Sequence, residues 1–348
     1  MRVRVSVLGH FAEGINLLNG QTIKTKMITE ELQAQLGRDQ VFKIDTHGGW
    51  KTLFKAPFQV FQSLKKSANV LIFPAHNGLR VYAPLLTLQK CFFKNRKIHY
   101  IVIGGWLPEF LMKRKSLSRM LKKFDGIYVE TNSMKNALEA QEFANVIVMP
   151  NCKNVDILTE EELVYTSAEP LKVCTFSRVI KEKGIEDAIH AVHAANNKIG
   201  KIAYCLDIYG EVGELQREWF RTIEKNFGEQ IVYKGFLDSN RSVEVLKNYY
   251  ALLFPTYYEG EGFAGTIIDA FASGVPVVAS DWKYNSEIIE DGCDGVIFPA
   301  RNVCALADKL VEIYENMDLW NAMKPNCLNR AREYSSENVI KVLMERLY

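Results

Sequence analysis

This chain has no long hydrophobic run. No stretch reaches the roughly 18 apolar residues a spanning helix needs, so no membrane-spanning helix is expected. The opening "MRVRVSVLGH" has no extended apolar core and reads as a strand and loop, not as a signal peptide. The seven cysteines (91, 152, 174, 205, 293, 304, 327) are odd in number and form no C-x-x-C, which argues against a disulfide framework. Reduced thiols in a cytoplasmic protein are expected. The loop after the first strand, with glycines at 9, 14 and 20, is not a G-x-G-x-x-G fingerprint, and no P-loop lysine pattern occurs, which disfavours a nicotinamide dehydrogenase or a P-loop enzyme. No D-x-D occurs, so nothing suggests a metal-bridged diphosphate. His190 and His193 lie three apart on a helical stretch without a third ligand and read as helix surface, so neither metal nor cofactor is expected. No nucleic-acid recognition motif, repeat or low-complexity tract is present.

What is present is 348 residues, 48% hydrophobic and 24% charged, enough for two cores. The net charge of +2 hides an asymmetry. Residues 1–150 carry 22 Lys and Arg against 10 Asp and Glu, whereas residues 151–348 carry 21 against 31. The first half is therefore suited to an anionic surface or ligand, or simply has a lopsided solvated face.

Short β-branched runs alternate with helical stretches. "VRVSVLG", "NVLIFPA", "KIHYIVIGG", "GIYVET" and "NVIVMPN" read as strands of a first sheet. "LKVCTFS", "AYCLDIYG", "QIVYKGF", "ALLFPT", "VPVVAS" and "GVIFPA" read as strands of a second. Nearly all-apolar runs suit parallel strands buried on both faces, and their alternation with helices predicts doubly wound α/β folds. The reading is two Rossmann-like domains, 1–160 and 168–330, facing a central cleft and separated by a polar break at about 157–170. A last helix at 336–348 is expected to pack back on the first domain.

In such sheets ligands bind beyond the carboxyl ends of strands. There the chain places "EGEGFAGTIIDAFASGVPVVASD" (259–281). Gly260 and Gly262 allow close backbone approach, and a helix is expected from Gly265 to a stop near Gly274. Glu261 then sits in the loop and Asp269 inside the helix. The N–H groups of Phe263, Ala264, Gly265 and Thr266 form an anion site at its start. A ligand with hydroxyls on either side of a phosphate suits this set; solvated loop acids are the alternative. "FSRVIKEKG" follows another strand, with Arg178 and Lys183 five apart. Two fixed cations there suit a diphosphate, or else a solvated basic loop.

The 259–281 stretch resembles the signature of retaining glycosyltransferases of family 4, which have the GT-B fold. Glu261 matches the first acid of their pattern, and Asp269 stands where the second is usually Glu. The resemblance implies that Glu261 meets hydroxyls of the transferred sugar and Asp269 the nucleotide ribose. It also implies that Arg178 and Lys183 hold the donor diphosphate in a similar R-x-x-x-x-K-G, and that Gly210, Glu211 and Phe236 lie around the base. Phe236 is equally readable as core. Gly20 and Gln21, just before a helix expected near Thr22, could play the part of the family's glycine-rich first loop, or belong to a long ordinary βα loop. Many relatives carry a histidine after the strand aligned with "YIVIGG"; here Gly104 stands there, followed by Gly105 and Trp106. Either a backbone carbonyl suffices, or His76 or His10 approaches instead, or activity is absent.

The resemblance implies a metal-independent retaining hexosyltransferase. It would move sugar from a nucleotide sugar, a UDP-sugar above all, to a saccharide or lipid-linked saccharide in surface polysaccharide or glycolipid synthesis. A catalytically silent, nucleotide-sugar-binding partner subunit is the alternative. Finally, "FLMKRKSLSRMLKKF" (110–124) puts Phe110, Leu117, Leu121 and Phe124 on one helical stripe among six basic residues. With "KCFFKNRK" (90–97) it reads either as a surface for anionic lipid on the inner face of the cell membrane, or as a domain helix packing on its sheet.

Overall fold

The computed structural model describes residues 3–15, 20–166 and 168–347, without the side chains of residues 50, 51 and 53. Residues 16–19 of the first glycine-bearing loop, and residues 1, 2, 167 and 348, lie outside the described residues. The chain divides into two compact units, residues 1–154 with 336–348, and residues 155–335.

The described residues of the first unit form a six-stranded parallel sheet. Its strands are β1 (Val3–Gly9), β2 (Val41–Asp45), β3 (Ser67–Ile72), β4 (Lys97–Ile101), β5 (Gly126–Val129) and β6 (Val146–Val148). They run in the order β2-β1-β3-β4-β5-β6. Val5 pairs with Val41 on one side and Asn69 on the other. Five of these strands stand where the apolar runs predict them. β2 was not expected: "VFKID" is half exposed at the sheet edge and mixes polarity, so it lacks the apolar-run signal. Ile28 and Leu32 of the Gly20–Leu36 helix close one face of the sheet, together with Val339, Ile340 and Leu343 of the Ser336–Met344 helix.

The second unit carries β7 (Leu171–Phe176), β8 (Tyr204–Tyr209), β9 (Ile231–Gly235), β10 (Ala251–Phe254), β11 (Val277–Asp281) and β12 (Gly295–Pro299). All pair in parallel, in the order β12-β11-β10-β7-β8-β9. The Ile185–Ile199 and Val303–Glu315 helices bury Ile189, Val192, Leu306 and Leu310 on one face. The Gly265–Ala272 and Lys324–Glu333 helices bury Ile267, Phe271, Cys327 and Ala331 on the other. The chain leaves β9 and returns to the far side of β7 as β10, so the strand order reverses between β7 and β10. That reversal opens a crevice at their carboxyl ends.

Two expectations need correction. The polar stretch 157–170 is not a bare linker: Leu158 and Leu163 are buried against Leu328, and the Leu158 N–H donates to the Ala272 carbonyl at 3.0 Å. The stripe Phe110, Leu117, Leu121, Phe124 is no lipid-facing surface, because all four side chains are buried in the first unit. The segment breaks into helices Leu107–Met112 and Lys115–Leu121, whose apolar sides face inward. Among the described residues no helix is long and apolar enough to cross a membrane.

Candidate active site

At the crevice of the second unit two loops meet. After β7 the chain makes a short turn at Lys181–Lys183 and enters the Ile185–Ile199 helix through Gly184, whose φ is 71°. A Cβ at Gly184 would lie 2.1 Å from the Pro255 carbonyl oxygen, so only glycine lets this turn lie against the end of β10. The Tyr257 N–H donates to the Glu182 carbonyl at 2.8 Å and pins the loops together.

This close approach brings Lys183 to Glu261. Lys183 Nζ donates to Glu261 Oε2 at 2.6 Å, and the Thr256 hydroxyl donates to the same oxygen at 2.7 Å. The Tyr258 N–H donates to Thr256 Oγ1 at 3.3 Å. Lys183, Glu261 and Thr256 are all buried, so the ion pair works in a medium less screening than water. Burying such a pair costs desolvation that its attraction and hydrogen bonds must offset, so its presence is weak evidence of a stabilising role. Glu261 Oε1 has no partner among the described residues. Phe254 and Tyr258 present ring faces 5.4 Å from Lys183 Nζ.

Arg178 is exposed on the same loop, its guanidinium 5.7 Å from the Tyr258 ring. Gly262 and Phe263 are buried. Ala264 caps the Gly265–Ala272 helix, whose first N–H groups, at Gly265 and Thr266, have no carbonyl one turn back to bind. Asp269 lies within this helix, almost wholly buried, its Oδ1 3.0 Å from Ser242 Oγ.

Gly210 and Glu211 join the same edge. The Gly210 N–H donates to the Gly235 carbonyl, and the Val179 N–H to the Glu211 carbonyl, at 2.8 and 2.9 Å. Gly210 has φ 137°, and a Cβ there would lie 1.7 Å from the Ser177 carbonyl oxygen. Phe236, which follows β9, is exposed and so is not core. The crevice thus assembles two cations, one carboxylate with a free oxygen, and a helix N-terminus, the parts that bind a phosphorylated, hydroxyl-bearing ligand.

Residues 170–316, which hold this whole arrangement, match a protein-family profile described as Glycosyl transferases group 1. The chain is 26% identical over 202 residues to the UDP-N-acetylglucosamine–peptide N-acetylglucosaminyltransferase GtfA subunit of Streptococcus gordonii, covering 55% of this chain and 38% of that protein. It is 26% identical over 243 residues to a poly(ribitol-phosphate) alpha-N-acetylglucosaminyltransferase of Staphylococcus aureus, covering 63% and 47%. The matches thus span less than half the length of these curated relatives. Among solved structures, HepE of Anabaena in complex with UDP superposes with a TM-score of 0.76 at 13% identity, covering 100% of this chain and 99% of that one. The fold is GT-B. Together these findings support a glycosyltransferase.

The first unit places the remaining candidates along the carboxyl edge of its own sheet. Gly20 opens the Gly20–Leu36 helix, and Gln21 Nε2 donates to the Phe73 carbonyl at 2.8 Å, just past β3. His76 begins the His76–Lys90 helix and stacks on Trp106, ring centroids 3.8 Å apart. Burial, then the nearby Arg114 and Arg80, push the His76 imidazole below its ordinary pKa. Gly104 has φ 80°, and with Gly105 it leads into Trp106, whose indole N–H donates to the Ile103 carbonyl at 2.9 Å. In the second unit His193, on the Ile185–Ile199 helix, bonds the Asn226 carbonyl and the Gln230 side chain, just ahead of β9, at 2.8 and 2.6 Å. The described residues contain no group of three metal-ligating side chains.

Sequence reasoning missed several groups. Thr256, directly after Pro255, gave no motif. Beyond β1 and β2, His10 was named as a candidate but its links were not: His10 Nε2 lies 2.8 Å from His47 Nδ1, and His10 Nδ1 lies 2.8 Å from Thr22 Oγ1. Asp45 accepts the Phe11 and His47 N–H groups at Oδ1 and the Glu13 N–H at Oδ2. Burial opposes its charge, but these backbone bonds outweigh it and hold the carboxyl below its ordinary pKa. The signal available was a histidine or aspartate at the end of each strand.

Proposed function

We propose that this protein is a retaining, metal-independent glycosyltransferase. It transfers a sugar from a nucleotide sugar, a UDP-sugar, to a saccharide or lipid-linked saccharide in surface polysaccharide or glycolipid synthesis. The observation that carries the reading is the buried Lys183–Glu261 pair at the reversal between β7 and β10. Relatives named as UDP-N-acetylglucosamine transferases, and a fold neighbour solved with UDP, support the choice of nucleotide.

In this reading the donor diphosphate lies at the start of the Gly265–Ala272 helix, against Arg178 and Lys183. Glu261 Oε1 accepts from hydroxyls of the transferred sugar, and Asp269 belongs to the ribose side. Gly210, Glu211 and Phe236 flank the base. In the first unit Gly20, Gln21, His76, Gly104 and Gly105 belong to the acceptor and phosphate side. The bond between the anomeric carbon and the diphosphate oxygen breaks, and the acceptor oxygen bonds to the same face of that carbon. The acceptor's proton passes to the departing phosphate. Charge growing on the diphosphate is met by fixed cations and helix N–H groups, which stabilise the transition state more than the ground state.

A panel of UDP-, GDP- and ADP-sugars read by thermal shift, followed by product analysis with the best binder, tests this. Stabilisation by UDP-sugars and a product with the donor's own anomeric configuration are expected. No response to any nucleotide sugar would end the proposal. The Gly104 departure favours one rival, a catalytically silent partner subunit; slow hydrolysis of bound donor separates an enzyme from it.

A further inference from the structure

The apolar stripe of 110–124 is core, yet the first unit does expose a large apolar surface, on a helix that carried no motif. In the Trp50–Lys66 helix Ala56, Val60 and Leu64 pack inward. The opposite side presents Phe54, Phe58 and Phe61, exposed by 85%, 68% and 46%. Spacings of four and three residues put these rings on one stripe. The patch continues onto the adjoining helix and its exit loop. Phe61 meets the Phe93 ring edge-on at 5.6 Å, and Gln89 Nε2 donates to the Pro57 carbonyl at 3.0 Å. Beside them Leu88 and Phe92 are exposed by 65% and 82%. Scattered exposed apolar residues need no explanation, but a contiguous cluster dominated by phenylalanine does.

Its setting is predominantly basic, although Lys90 pairs with Asp125 at 2.6 Å. Residues 46–108 contain nine Lys and Arg and not one Asp or Glu. Lys55, Lys65 and Lys94 are exposed around the patch. Near Phe92 a hollow of about 420 Å³ is lined by Lys90, Lys94 and Lys123 with Thr87 and Phe124. Two identical copies meeting through this face would set like charge against like charge. A bilayer with anionic headgroups instead offers apolar chains to the rings and negative charge to the rim.

We propose that the Phe54–Phe58–Phe61–Leu88–Phe92 face inserts into the interface of an anionic lipid bilayer, with the surrounding lysines on its headgroups. It is a monotopic contact, independent of the donor site. Because rings insert, part of the binding survives salt that screens the lysines.

The test uses the full chain and vesicles of phosphatidylcholine, with or without about a third phosphatidylglycerol, read by co-sedimentation at low and high salt. The wild type is expected to sediment with anionic vesicles and to retain a fraction at high salt. The double variant Phe58→Ser/Phe92→Ser should lose at least about ten-fold in partitioning, with an unchanged melting temperature since both rings are exposed. Lys55→Glu/Lys94→Glu should lose the salt-sensitive part, and Leu319→Ser, exposed in the second unit, should lose nothing. Failure of the wild type to bind anionic vesicles, or wild-type binding by the Phe58/Phe92 variant, would overturn the proposal. So would a wild-type dimer that this variant converts to monomer, which would assign the face to a second copy.

Discussion

Lys183 and Glu261 are 78 positions apart in the chain and 2.6 Å apart in the fold. The contact exists because the second sheet reverses its strand order between β7 and β10, setting the loops that follow these strands side by side. It also changes how the two residues act. Lys183 is at once the partner of Glu261 Oε2 and a cation of the proposed phosphate site, so Glu261 and the donor diphosphate share one positive charge.

The pair should therefore show strong coupling. Lys183→Met leaves Glu261 buried without its cation and should destabilise the protein by about 3–5 kcal/mol. Lys183→Met/Glu261→Gln should recover most of that loss. Denaturant melts of the four proteins in the double-mutant cycle measure it; additive losses would show that the pair is not coupled.

Donor binding and turnover should separate. Arg178→Ala leaves the buried pair intact and should weaken UDP binding about ten-fold or more. Glu261→Gln keeps the side-chain shape and should mainly lower kcat. Calorimetric titration with UDP beside steady-state rates distinguishes the two, and equal effects of both variants on binding would contradict the assignment.

Gly184→Ala should lower stability by about 1–3 kcal/mol, since its φ of 71° and the 2.1 Å approach to the Pro255 oxygen both exclude a Cβ. Because this turn carries Lys183, UDP binding should fall with it. Wild-type binding and melting in the variant would remove the close approach as the cause of the site geometry.

Lys324 is fully buried, its ammonium 3.4 Å from the Gly274 carbonyl oxygen, and burial lowers its pKa to about 8 from 10.5, against an opposing pull from Cys327. The unfolded chain keeps this proton up to pH 10.5 and the fold only to about 8. Below pH 8 the residue thus costs stability on the order of 3 kcal/mol, and the cost is relieved as pH rises from 8 to 10.5. Lys324→Met should melt higher than wild type at pH 7, and its advantage should shrink between pH 8 and 10. An advantage constant with pH would point to packing alone.

His99 acts with the same sign in a lower pH window. Burial lowers its pKa to about 4, with ring nitrogens 3.0 Å from the Tyr128 hydroxyl and 3.2 Å from Asn69 Oδ1. The unfolded chain takes up a proton near pH 6.5 and the fold only near 4. Stability present above pH 6.5 is lost as pH falls through that window, by on the order of 3 kcal/mol. His99→Gln should flatten this part of the acid limb in melts from pH 7 to 4. An unchanged limb would place the acid sensitivity elsewhere.

Strands β7, β10 and β11 of the second sheet were legible, because an inner parallel strand covered on both faces is apolar along its length. The edge strand β9 was legible only from its short "IVY" run and exposes Val232 and Lys234. β2 was not, because an edge strand with one half-exposed side carries Lys43 and Asp45 without penalty. The spacing of Arg178, Lys183 and Glu261 within their loops could be read directly. Thr256, and the sharing of Glu261 Oε2 between Thr256 and Lys183, could not, since no local pattern reports which loops become neighbours.

Two amphipathic stretches mark the limit most clearly. Periodicity shows that 110–124 and 50–66 each bear an apolar stripe, and it is silent on what covers the stripe. Phe110, Leu117, Leu121 and Phe124 turn inward, whereas Phe54, Phe58 and Phe61 remain outside because Ala56, Val60 and Leu64 already fill the inner side of their helix. By itself the sequence determined the alternation of buried strands and helices, the basic first half and the chemistry available after each strand, all properties of local pattern. The tertiary structure decided which loops adjoin, which charges pair and which apolar faces stay in solvent, because these depend on strand order and on the space already filled by residues distant in the chain.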